Sequence, residues 1–511
     1  MSAEVVHNME NEIDAISEMQ RSGGRVAANA FTYLLSQIVT WGVSIAVVAV
    51  QPHLIGEKGL GELRIANTVV GTVVTFACLS LEQFLIAEVG RNKNATEQML
   101  RASFGLRIAL LPIMVDVIAL GFRWMNVSQI VWMIGFIHIM RVGIGFVGLP
   151  IRSVLAGWEN GKMVAAIDFI PVIAPLFAFP LLFLGFSVIV VPMVDLAAVA
   201  LLYLFLARYM SKHIRMMPTF RWLEWKTLIH GGTPFLVNEM NAQLYDFVTI
   251  ALLMRFTNEA TVGVYSQAIK FQGTFLFVPV AIATAMLPFL ARLADKTNEV
   301  DKADFRVMQQ RTLVVMIATS LPVATMVFML AHPVCHLLFG HKLLAGVPGV
   351  LQISAINLLP LYLLTVFYRF LVAQRKNGIW SVFLTGTVLL NGVLCYTLIP
   401  LARDRWQNAS MGAALSSMIA EYITMFFALF LLRINPFQRE TFGSIVRTVF
   451  ATAVMGAVIW KLRDVFVLVP AFVGGIVFIV LAWKLKILGA EEQAKLVELF
   501  RRKLGRFLTG R

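Results

Sequence analysis

Of 511 residues, 59% are apolar and 14% are charged, where a soluble protein runs to about half and about a quarter. That balance excludes both a water-soluble globule and a disordered chain, and leaves a bilayer as the missing apolar solvent. Lys and Arg outnumber Asp and Glu by 43 to 29, a formal charge of +14. In a chain this apolar, loop bias across a membrane explains the excess better than nucleic-acid binding does. Cys78, Cys335 and Cys395 are scattered in or beside apolar runs, which excludes a disulfide framework and any CxxC redox or zinc spacing.

The first 27 residues form a polar, acidic tail (Glu4, Glu10, Glu12, Asp14, Glu18). It has no apolar core ahead of a small-residue cleavage site, so no removable signal peptide is expected. Apolar runs follow at 28–50, 62–89, 103–122, 129–151, 163–186, 188–208, 231–254 and 262–291. They continue at 312–331, 345–372, 379–400, 410–432, 444–460 and 465–483. They predict an all-α polytopic membrane protein of about fourteen helices. The runs are continuous, not ten-residue alternations, so a β-barrel is not expected. Prolines 171, 175, 180, 279 and 288 predict kinks, which membrane helices tolerate. With the N-terminus inside and the loops alternating, roughly 31 of the basic residues fall on the cytoplasmic side and about 8 outside. Both termini are therefore expected in the cytoplasm. Around 490–508, Leu496, Phe500, Leu504 and Phe507 predict an amphipathic, basic helix suited to an anionic leaflet.

One constant offset aligns the chain with itself. Gly61 falls on Gly263, Ala66 on Ala268, Gly71 on Gly273 and Thr72 on Thr274. Both segments follow the first helix of a six-helix half, and an even number of helices per half makes the repeats parallel. The expected organisation is a cytoplasmic tail (1–27), an N-lobe (28–208) and a basic connector (209–230). A C-lobe (231–433), two extra helices (434–486) and a cytoplasmic amphipathic tail (487–511) complete it. Two six-helix lobes around a cleft suit a transporter.

The same segments resemble the multidrug/oligosaccharidyl-lipid/polysaccharide flippase superfamily, and most its bacterial polysaccharide-transporter branch. The resemblance rests on residues 53–66 (HLIGEKGLGELRIA), Ala87-Glu88-Val89-Gly90-Arg91, Gly263-Val264-Tyr265-Ser266-Gln267-Ala268 and Met286-Leu287-Pro288-Phe289. It continues through Leu337-Leu338-Phe339-Gly340, Asn391, Leu398-Ile399-Pro400 and Gly412-Ala413-Ala414. It spans about residues 28 to 433. The resemblance implies an inner-membrane protein that moves an undecaprenyl-pyrophosphate-linked glycan from the cytoplasmic to the periplasmic leaflet. In similar lipid II flippases, cations on the second and eighth helices line the headgroup cavity. Arg64 and Lys270 are the positions here that would take that role.

Ionisable side chains at membrane depth are functional candidates by default, because burying them uncompensated is costly. The basic ones are Arg64, Arg107, Arg141 and Lys270. In the repeat register, Lys270 falls opposite Thr68, one turn from Arg64 on the same helix face. Two cations would then enter one cleft and meet a pyrophosphate, with Arg141 as a third candidate. In the alternative reading, Arg64 snorkels to the interface, Lys270 pairs with Asp246, and Arg141 pairs with Asp116 or Asp168. The acids are Glu82, Asp116, Asp168, Asp195, Glu239, Asp246 and Glu421. Of these, Glu82, Asp116, Glu239, Asp246 and Glu421 are candidates for coupling or gating. Glu239 and Asp246, two turns apart, could carry H⁺ or Na⁺, or else hold a fixed salt bridge. His332, His336 and His341 cluster without acidic companions, and a metal is not expected. No GxSxG, Walker loop, HExxH or paired-Cys motif occurs, so neither an enzyme nor a cofactor is expected. The rivals are a cation-coupled drug or metabolite exporter, a lipid II flippase, and a membrane glycan polymerase, which the short outside loops disfavour. The expected partners are the lipid-linked glycan, the membrane and export machinery such as a glycan polymerase, with no nucleic acid; a monomer suffices.

Overall fold

The computed structural model describes residues 3–158, 160–212, 214–294, 299–340, 346–374 and 376–487. The amphipathic helix expected at 490–508 and His341 lie outside the described residues, which are helical with no strand among them. The chain order is α1 (Ala3–Cys78), α2 (Leu81–Arg91), α3 (Thr96–Met125), α4 (Gln129–Gly157), α5 (Gly161–Phe183), α6 (Val190–Met210), α7 (Trp222–Phe256) and α8 (Glu259–Gly273). Then come α9 (Phe277–Ala294), α10 (Glu299–Phe339), α11 (Val347–Ile356), α12 (Leu358–Ala373), α13 (Asn377–Trp406), α14 (Ala409–Leu432), α15 (Arg439–Lys461) and α16 (Leu468–Lys484).

All fourteen apolar runs fall on helices. Among the described residues, however, nine helices are long and apolar enough to cross a membrane, or ten when the bent pair α11–α12 is taken as one span. Part of the difference is that the first two runs count as one span, Gly42–Arg91, and that α16 is a shorter apolar helix; part comes from breaks in the helices. In α1 the break is at Gly56, whose φ of +67° is open to glycine and strained for most other residues. Between α1 and α2, Leu79 and Ser80 both take left-handed conformations (φ +51° and +50°). At α11–α12 the helix bends by 45° at Asn357. By contrast, α5 runs as one helix through Pro171, Pro175 and Pro180.

The chain forms two compact units, residues 1–54 with 69–240 and residues 55–68 with 241–511. In the first unit, α2, α3, α4 and α6 surround Val89, Leu100, Ile151, Val154 and Leu206. Here α6 buries Leu202 and Leu206 while exposing Leu201, Leu204 and Phe205. A helix apolar on both faces needs an apolar solvent on the outer one. The Gly231-Gly232 pair lets α7 approach the break after α1: a Cβ at Gly232 would meet the Leu79 carbonyl, and one at Gly231 the Phe84 ring.

The second unit is built on a close crossing of the α1 segment 55–68 with α8. A Cβ added at Gly61 would collide with the Glu259 carbonyl, and one at Gly263 with the Glu57 carbonyl. The contact is reciprocal in the repeat register, as expected of segments related by a pseudo-two-fold axis. The other repeat-matched glycines, Gly71 and Gly273, have open space at the Cβ position. Around the crossing, Leu60, Ile65, Ala66, Val262 and Ala268 are buried, while α10, α15 and α16 close over Leu330, Met455 and Ile459.

The crossing makes a direct prediction for stability. Gly61→Ala and Gly263→Ala force helix against helix and cost about 1–3 kcal/mol or more, read as a lowered Tm of the detergent-purified protein. Gly71→Ala, in the same helix but in open space, leaves Tm unchanged or raises it.

Candidate functional site

The crossing sets the positions of two cations, Arg64 and Lys270. Helix α8 starts at Asn258, whose side chain accepts the Thr261 N–H at 3.0 Å, and Glu259 in its first turn suits the positive end of the helix dipole. From that cap the helix carries Lys270 into its last turn, where the side chain keeps solvent access. On the other strut of the crossing, Arg64 lies one turn beyond Gly61. Its guanidinium pairs with Asp246 of α7, and Thr68 Oγ1 donates to the second carboxylate oxygen at 3.2 Å. The pair keeps 26% and 35% side-chain exposure, and Lys270 stands within electrostatic range of Arg64. Arg64 Nε has no hydrogen-bond partner among the described residues.

Arg64, Lys270 and Asp246 therefore share one neighbourhood of the second unit. Asp246 pairs with Arg64, where the alternative reading paired it with Lys270, because α7 turns this carboxylate toward Thr68 and Arg64. Chemically the group brings two cations close together, with the Arg64 Nε donor still available, a set suited to oxygen-rich anions.

One further feature of this unit escaped the sequence reading. Along α7, Asn241, Tyr245 and Thr249 recur at a four-residue spacing. Asn241 donates to the Ser381 carbonyl at 3.3 Å, Tyr245 to the Ser417 carbonyl at 3.1 Å, and Asn391 donates to Thr249 Oγ1 at 2.9 Å. The signal was present as a polar stripe in an apolar run, but polar residues without charge carry little weight in a hydropathy scan. Glu421 of α14 lies within electrostatic range of Tyr245 and contacts Asn357 at the α11–α12 bend, and its Oε2 is buried without a hydrogen-bond partner among the described residues.

The remaining candidates lie in the first unit, where each cation has its own acid. Arg107, wholly buried on α3, bonds Glu82 through Nη2 at 2.5 Å and sits 5.7 Å over the Phe146 ring. Arg141 pairs with Asp195 at 2.6 Å, and Arg152 grips Asp168 with two bonds of 2.6 Å. The expected partners of Arg141, Asp116 and Asp168, are thus replaced by Asp195. The reason is packing: α4 turns position 141 toward α6 and position 152 toward α5. Asp116 is exposed on α3. Glu239 accepts the Ser80 hydroxyl at 2.6 Å beside the left-handed break. It groups with the first unit and Asp246 with the second, so the two acids expected to act as a pair have separate partners.

The Glu82–Arg107 pair gives a second prediction. Glu82→Ala strands a buried guanidinium and costs about 3–5 kcal/mol, whereas Glu82→Leu combined with Arg107→Met restores most of the loss. Thermal unfolding of the three purified variants measures both effects, with Asp116→Asn as the neutral control.

A MatE family model matches residues 234–397. No curated protein matches the chain in sequence. Among solved structures, the lipid II flippase MurJ in an inward closed conformation superposes with a TM-score of 0.67 at 14% identity, over 94% of this chain and 99% of that one. An inward-facing multidrug resistance MATE family transporter of the MOP superfamily gives 0.62 at 12% identity, over 77% and 94%. A eukaryotic MATE transporter, AtDTX14, gives 0.55 at 13% identity, over 83% and 97%.

Proposed function

We propose that this chain, which matches a MatE family model over residues 234–397 and has the fold of a lipid II flippase and of MATE family transporters, is a flippase for a lipid-linked oligosaccharide. The substrate is an undecaprenyl-pyrophosphate-linked repeat unit of a surface polysaccharide, carried by alternating access from the cytoplasmic to the periplasmic leaflet of a bacterial inner membrane. The observation that carries this reading is the proximity of two cations, Arg64 and Lys270, with Asp246 paired to Arg64. Two neighbouring cations suit an anionic headgroup better than a cationic drug. That one protein of this fold is named a lipid II flippase agrees with a lipid-pyrophosphate headgroup.

The chemistry then follows from competition for one guanidinium. With no substrate, Asp246 holds Arg64. A pyrophosphate brings more charge and more acceptor oxygens, and it takes Arg64 together with Lys270. Asp246, deprived of its partner, then needs a cation of its own, which H⁺ or Na⁺ supplies. Substrate entry and cation uptake are linked through that carboxylate. The lipid tail stays in the bilayer, while sugar passes through a hydrated cleft.

A cation-coupled small-molecule exporter is the second reading. It is favoured by the buried, partly unpartnered Glu421 carboxylate next to Asn357 and Tyr245.

Arg64→Ala with Lys270→Ala, at normal expression, reduces glycan export at least about tenfold, as expected for losing two charge-assisted contacts. Intact lipid-linked repeat units accumulate, shielded from a periplasm-confined glycosidase. Full export by the double variant would rule out the cation assignment, and a drug-resistance phenotype with normal glycan would favour the exporter. Asp246→Asn separates binding from turnover: affinity for a polyprenyl-pyrophosphate analogue rises several-fold, by roughly the population of Arg64 released, while transport slows.

A further inference from the structure

A second cationic site lies elsewhere in the same unit, at one end of α10, α14, α15 and α16. A cavity of about 930 Å³ is lined by Arg306, Arg311, Arg433, Arg439, Arg447 and Lys486, with Glu440 as the single carboxylate of its lining among the described residues. Its walls come from the first turns of two spans, Phe305–Phe339 and Arg439–Lys461, the link between α14 and α15, and the end of α16. Successive spans alternate direction, so the end of α14, the start of α15 and the end of α16 share one membrane face. The cavity therefore sits at headgroup depth.

Several features mark it as built for a ligand. Gln309 is 2% exposed and lines the cavity, yet its Nε2 donor has no hydrogen-bond partner among the described residues. Arg433 and Lys486 both take left-handed backbone conformations, with φ of +56° and +52°. Each ends a helix at a position that ordinarily favours glycine. Holding two long cations there forgoes the easier residue and points to a use for the side chains. Lys376, at the start of α13, donates to the Leu431 carbonyl at 2.7 Å, and burial together with the Arg433 charge lowers its pKa below the usual lysine value. A bound anion would relieve that repulsion.

Farther along the same two helices the wall changes character. Leu321 and Met329 of α10 and Val449 and Trp460 of α15 line an apolar groove of about 590 Å³. Gly456 keeps it open toward Thr325, whose Cγ2 would lie 3.3 Å from an added Cβ. A polycationic pocket at headgroup depth, continued by an apolar groove along the same helix pair, is complementary to an anionic phospholipid.

We propose that this cavity binds an anionic phospholipid of the surrounding membrane, its phosphate among Arg433, Arg439, Arg447 and Lys486 and an acyl chain along the α10–α15 groove. Basic pockets between membrane helices hold acidic headgroups by the same electrostatics. The site is separate from Arg64 and Lys270, and it stands whether or not those residues carry substrate.

The test uses the full chain in bicelles of phosphatidylcholine, with and without phosphatidylglycerol. Phosphatidylglycerol raises Tm, and its affinity falls about fivefold for each cation removed in Arg439→Gln and Arg447→Gln. The informative variant is Arg433→Gly, which suits the left-handed backbone: its basal Tm holds or rises while the response to phosphatidylglycerol shrinks. Arg215→Gln with Lys226→Gln, in the 209–230 connector, keeps the full response. An equal response to phosphatidylglycerol in all variants would overturn the site. So would an equal shift from inorganic pyrophosphate alone, which would mark a soluble-anion pocket. Tighter binding of a polyprenyl-pyrophosphate lost in the same variants would make it a substrate station and overturn the phospholipid assignment.

Discussion

The close approach of two helix backbones at Gly61 and Gly263 is the contact on which the candidate chemistry of this protein depends. Each glycine removes the Cβ that would strike a carbonyl of the other helix, Glu259 in one direction and Glu57 in the other. Without that crossing, the α1 segment would stand a side chain's width farther from α8. Arg64, one turn along one helix, and Lys270, at the end of the other, would not then share a neighbourhood. In lipid, where apolar surface gives little drive to associate, small residues that let backbones touch are the usual means of fixing such a geometry.

Charge compensation is the second constraint, and it sorts the ionisable residues into two kinds. Arg107, Arg141 and Arg152 in the first unit each meet a carboxylate of their own, Glu82, Asp195 and Asp168. Such pairs make burial tolerable and leave little charge for a ligand. In the second unit, Arg64 shares Asp246 with Thr68 and has a second cation, Lys270, within electrostatic range. A charged ligand gains most where the protein has compensated its own charge least. The same logic applies to the cavity at the α14–α15 link, whose described lining holds six cations and one carboxylate, Glu440.

The polar stripe of α7 connects these observations to transport. Asn241, Tyr245 and Thr249 tie α7 to α13 and α14, and Asp246 projects from the same helix toward Arg64. Hydrogen bonds of this kind hold a membrane helix in register without the cost of a buried charge. The bend at Asn357 and the left-handed pair Leu79–Ser80 are the points where helical hydrogen bonding is interrupted. Both have a carboxylate beside them, Glu421 and Glu239 respectively.

The sequence alone determined the solvent, the helical class, the location of every apolar run and the equivalence of Gly61 and Gly263 in the repeat register, because hydropathy and repetition are properties of the chain itself; their contact came from the structure. It also singled out Arg64 and Lys270, since a charge in an apolar run is conspicuous in one dimension. Only the tertiary structure decided who pairs with whom. Asp246 goes to Arg64, Asp195 to Arg141, and Glu239 and Asp246 part company, because ion pairs depend on the rotation of each helix about its axis. That rotation is set by packing against neighbours distant in sequence. The helix breaks at Ser80 and Asn357, inside apolar runs, were likewise invisible to a scan that counts apolar residues and ignores φ, whereas Gly56 lies in the gap between the first two runs. The cationic cavity is the clearest case: its residues come from segments more than a hundred positions apart, and folding alone brings Arg306 to the same wall as Arg439 and Lys486.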